Sequence, residues 1–100
     1  MAIGDKAKLS TDKNRAEALA IAALGFLADE PARLSRFLAL TGLGPHNLRR
    51  AAAQPGFAAA VLDHLLGDER AVLAFAEHAG LAPEAVAQAR AALGGPPAEP

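Results

Sequence analysis

Apolar residues recur along this chain at the spacing of a helix. Leu19, Ala22, Ala23, Phe26 and Leu27 fall at i, i+3, i+4, i+7 and i+8, and Leu34, Phe37, Leu38 and Thr41 take up the pattern again. Phe57, Ala60, Val61, His64 and Leu65 repeat it, as do Val72, Phe75, Ala76 and Ala79. No stretch alternates with a period of two, and β-branched residues are scarce, so the pattern predicts an all-α fold. Punctuation divides it into six helices, over roughly 12–28, 31–41, 45–54, 55–66, 69–79 and 83–93. Ser10, Thr11 or Asp12 can cap the first of them. Pro31, Pro45, Pro55 and Pro83 stand near helix starts, where a missing N–H costs nothing. Gly42, Gly67, Gly80 and Gly94 stand where helices should stop in the left-handed conformation. Residues 1–10 and the Gly/Pro-rich 94–100 are expected to be loose tails flanking a single domain over 11–93.

An offset of 38 residues aligns the chain with itself. Leu24 meets Leu62, Leu27 meets Leu65, Phe37 meets Phe75, and Gly42, Leu43 and Pro45 meet Gly80, Leu81 and Pro83. The expected architecture is therefore a compact bundle of two related three-helix units, 12–54 and 55–93, packed face to face. The offset also bears on the apolar run Ala18–Ala28. Eleven residues are too few to span a bilayer, which takes about 20. Its counterpart lies in mid-chain, where no leader peptide can be, so the run is expected to be a core helix of a cytoplasmic protein.

Composition narrows this picture. Hydrophobic residues make up 52% of the 100, but 27 of them are alanine and only 25 are large. The core therefore rests on few side chains. With no cysteine there can be no disulfide scaffold, no Cys-ligated zinc and no thiol chemistry. Net charge is −1, which is unlike a general nucleic-acid binder, yet it hides two unlike halves. Residues 1–54 carry +3 and residues 55–100 carry −4.

No catalytic constellation is visible, and no cofactor or metal is expected. His46, His64 and His78 lie too far apart for two to share a helix face as ligands. His64 sits on an apolar stripe and reads as a half-buried contact residue. Ser10, Thr11, Ser35 and Thr41 lie in no nucleophile turn, and Gly42-Leu43-Gly44 lacks the strand and lysine of a phosphate loop. Acidic groups gather at helix starts, where the helix dipole favours them. Asp29 and Arg33 are spaced to pair at i, i+4.

Two binding readings remain. A helix-turn-helix could be built on Leu38, Gly42 and Leu48, with helix 45–54 offering His46, Asn47, Arg49 and Arg50 to DNA. Against it, the corresponding second copy opens with Glu84, which would face phosphate badly. The favoured expectation is a non-catalytic protein-interaction module. Its basic residues Arg33, Arg36, Arg49 and Arg50 would meet an unidentified protein partner, or the acidic half of a second copy through complementary charge.

Three segments carry a family resemblance. They are Ala23-Leu24-Gly25-Phe26-Leu27-Ala28-Asp29-Glu30-Pro31, then Arg36-Phe37-Leu38-Ala39-Leu40-Thr41-Gly42, then Pro55-Gly56-Phe57 with Val61-Leu62-Asp63-His64-Leu65-Leu66. They resemble the domain-of-unknown-function 3572 family, small helical proteins known mainly from alphaproteobacteria. Over residues 15–94 the resemblance implies a cytosolic bacterial protein of unassigned role, and it carries over no functional residue.

Overall fold

The computed structural model describes residues 2–44, 46–54 and 56–94, with side chains from Asp12 onward. Every regular element among them is a helix: α1 (Ala2–Ala28), α2 (Pro31–Thr41), α3 (Leu48–Ala52), α4 (Phe57–Leu66), α5 (Glu69–Ala79) and α6 (Glu84–Leu93). The trio α1, α4 and α6 packs together most extensively. Helix α2 lies on α1, α5 lies mainly on α4, and α3 touches α4.

The helical stripes become the core. On α1 the buried side chains are Ala16, Ala20, Ala23, Phe26 and Leu27. Four of these, 16, 20, 23 and 27, are spaced four, three and four apart, a seam suited to close packing. Phe37 of α2, Val61, Leu62 and Leu65 of α4, Val72, Phe75 and Ala76 of α5, and Val86 and Ala89 of α6 complete it. No described helix is long and apolar enough to cross a membrane.

Helices α2 and α5 end alike. Gly42 (φ 76°) and Gly80 (φ 71°) adopt the left-handed conformation that a side chain disfavours. The next N–H reaches back across the turn in both, Leu43 to the Leu38 carbonyl at 3.1 Å and Leu81 to the Ala76 carbonyl at 2.8 Å. Two of the ring contacts are related by the 38-residue offset. Phe26 meets Phe75 edge-on with centroids 5.5 Å apart. Positions 64 and 37 make the reciprocal contact, His64 against Phe37 at 5.0 Å. The third elements of the two halves differ: α3 has 5 residues and α6 has 10.

Several expectations are corrected. Helix α1 starts at Ala2 and not near residue 12, so Ser10, Thr11 and Asp12 lie inside a helix instead of capping it. Nothing before residue 12 breaks a helix strongly: Ala, Lys and Leu favour it and the single Gly4 costs only about 1 kcal/mol. The helix expected over 45–54 shrinks to Leu48–Ala52. Asn47 is the cause, because its side-chain oxygen accepts the Gly44 N–H at 2.7 Å and so holds a turn there. Pro45, Pro55 and residues 95–100 lie outside the described residues. Gly67 is right-handed (φ −73°), since Asp68 begins the next helix immediately after it.

Candidate functional site

Helices α2, α4 and α5 enclose an open cleft of about 790 Å³. From α2 come Ala32, Arg33, Arg36 and Leu40; from α4 come Asp63 and His64; Gly67 and Asp68 form the turn; Arg70 and Ala71 open α5; Leu27 of α1 adds an apolar patch. Arg33 and Arg36 reach the same side because they stand three apart on a helix. Arg70 arrives from the other half of the chain. Sequence reasoning counted it only within the acidic half and missed it, as it missed His64 and Asp68. The charged halves therefore do not form separate faces at this site.

The acidic side chains here are already engaged. Asp63 accepts a hydrogen bond from Arg90 Nε at 2.8 Å, in a pair whose side chains are only 21% and 13% exposed. Asp68 caps α5, with Oδ1 accepting the N–H groups of Arg70 at 3.1 Å and Ala71 at 3.4 Å. Glu30, in the matching place before α2, makes no side-chain cap. Its carboxylate pairs instead with Arg33 at 3.1 Å, the contact expected from Asp29. The Arg33 guanidinium also lies over the Phe26 ring, 4.3 Å from its centroid. Arg36 and Arg70 form no ion pair among the described residues.

His64 is the histidine of the cleft. Burial, then the Arg36 charge, hold its pKa below the usual histidine value, with Asp68 pulling the other way. Its ring stands edge-on to Phe37 at 81°, the half-buried contact expected of it.

The other anticipated basic residues lie elsewhere. Arg49 and Arg50 are exposed in the last turn of α3 and do not line the cleft. His46 is exposed, and Asn47 is held by the Gly44 turn. A recognition helix of 5 residues would be only about 7.5 Å long. Among the described residues no three His, Asp or Glu side chains gather where they could hold a metal ion. A second groove of about 730 Å³ runs between α1 and α5–α6, but its walls are mainly alanine and leucine.

Asp63 and Arg90 join α4 to α6 beneath this site. Asp63→Ala would leave a mostly buried guanidinium without its carboxylate, at an expected cost of about 2 kcal/mol. An unchanged urea midpoint in that variant would contradict this account of the pair.

No curated protein and no solved structure matches the chain. The model of the family described as "Protein of unknown function (DUF3572)" matches residues 13–96, nearly all of the helical bundle, and the chain belongs to that family.

Proposed function

We propose that the protein is a non-catalytic binding module whose cleft takes an acidic, partly apolar segment of a partner protein. One observation carries this reading: Arg33, Arg36 and Arg70 line a single cleft from two helices, and Arg36 and Arg70 have no carboxylate partner among the described residues. Guanidinium groups match carboxylates in a planar fork. The apolar component follows from Leu27, Ala32 and Ala71 in the lining and from Leu40, which is 67% exposed at the same site. An acidic segment with a leucine-sized anchor satisfies both. Asp63 and Asp68 add specificity, because a basic segment would have to compete with Arg90 and with the α5 backbone for them.

The test is titration of a blocked Glu-Leu-Glu repeat peptide into the protein, followed by fluorescence anisotropy. Reversing two charges, Arg36→Glu with Arg70→Glu, is expected to weaken binding by at least about thirtyfold. Arg49→Glu with Arg50→Glu, away from the cleft, should change it less than about threefold. Equal loss in both variants would indicate attraction by overall charge and overturn the cleft as the site. If a second copy is the partner instead, the sedimentation mass of the protein alone would fall toward one chain as salt rises.

A further inference from the structure

We propose that His64 is a ligand-contacting residue of this cleft, and that the acidic segment binds together with one proton, taken up on the His64 imidazole. The inference rests on the acidic-segment reading above and adds how binding at that site is regulated.

Several charged groups line the cleft with the ring, and Arg36 and Asp68 act on it directly. Helix α2 brings Arg33 and Arg36, the turn brings Asp68, α5 brings Arg70, and its own helix brings Asp63, which Arg90 of α6 engages. Phe37 fixes the ring from one side at 5.0 Å. No hydrogen bond reaches the ring nitrogens among the described residues, so they are available to a ligand. Within the cleft, burial and the Arg36 charge both favour the neutral ring, and Asp68 favours the cation.

An arriving carboxylate reverses that balance. Seated on Arg36, it cancels the field that disfavours the imidazolium and places a second negative group beside the ring in addition to Asp68. Covering the ring opposes the change through further burial. A direct contact with the ligand carboxylate outweighs that burial, because only the imidazolium gains the attraction of opposite charges at hydrogen-bond distance. The proton comes from solvent and ends on a ring nitrogen; no covalent bond changes. The sign follows from linkage: if the ring holds its proton more tightly in the complex than in the free protein, affinity rises as pH falls.

The probe is the same blocked Glu-Leu-Glu peptide, whose side chains stay ionised from about pH 6 to pH 8. Any proton taken up then belongs to the protein. Calorimetry in MES and in imidazole, buffers of unlike ionisation heat, should report uptake of a fraction of one proton. Affinity should be about fivefold higher near pH 6 than near pH 8. His64→Gln should abolish uptake and flatten the pH profile. In the wild-type protein, which needs no substitution, the His64 ring resonance should titrate at higher pH with peptide than without. Binding that is flat with pH and takes up no proton overturns this inference and leaves the acidic-segment reading standing. Uptake that survives His64→Gln also overturns it, by assigning the proton to another group. Absence of binding at either pH overturns both.

Discussion

Phe37→Ala is expected to cost about 3–5 kcal/mol and to free α2 from the bundle. Phe37 is the one buried residue of that helix and is fully inaccessible to solvent. Its ring meets His64 at 5.0 Å and Phe57 edge-on at 6.4 Å, so it ties α2, which lies on α1, to α4 as well. A chain of this size has only about 5–15 kcal/mol of total stability, and this core has few large residues to absorb the loss. Truncation leaves a cavity beside Phe57 and His64. The effect should reach the cleft as well, because α2 carries Arg33 and Arg36. Urea unfolding would measure the loss, and amide hydrogen exchange would show whether α2 opens before the rest. Phe37→Leu, which keeps most of the volume, should lose far less. A shift below about 1 kcal/mol for the alanine variant would show that α2 is held by something other than this anchor.

How much of this was legible in the sequence depends on how local each signal is. The stops of α2 and α5 were legible because a glycine at the end of an apolar stripe is a local signal, and Gly42 and Gly80 close both helices in the same left-handed way. Pro31 likewise marked the start of α2. The start of α1 was not legible, since capping residues at 10–12 also tolerate a helix interior when the residues before them favour one. Helix α3 was overestimated because its fate turns on one side chain: Asn47 bonds to Gly44 and not to the helix that follows. Half of the site could be read as well. Arg33 and Arg36 lie three apart on a helix, which local spacing shows. Arg70 joins them only through the packing of α5 on α4, and no local pattern encodes that. The offset of 38 offered one clue, since Glu30 and Asp68 match across it and stand at the starts of the helices that carry these arginines. They nevertheless act differently: Asp68 caps its helix, while Glu30 turns to Arg33.

Ala23→Leu should destabilise the protein by about 3 kcal/mol, although it adds apolar surface to an apolar core. Ala23 is fully buried, and Ala16 and Ala20 on the same face of α1 are 2% exposed. That face is packed chiefly on α4 and α6, where Val61, Leu62, Leu65 and Val86 are fully buried and Ala89 nearly so. Helix axes can approach to about 8 Å only where the side chains between them are small. Three more carbons at position 23 must therefore push α1 away from its neighbours or force them off their preferred rotamers. Ala18→Leu is the control. Position 18 is exposed on the same helix, so the same added volume should move stability by no more than about 0.5 kcal/mol. The contrast separates two roles of the alanines that dominate this composition. On the surface of α1 they supply helix propensity alone, and any good helix former will serve. At 23, where the side chain is fully buried, alanine limits how far α1 stands from its neighbours. If Ala23→Leu unfolds at the same urea concentration as the parent, α1 is not closely packed at this point and the alanine seam has no structural role.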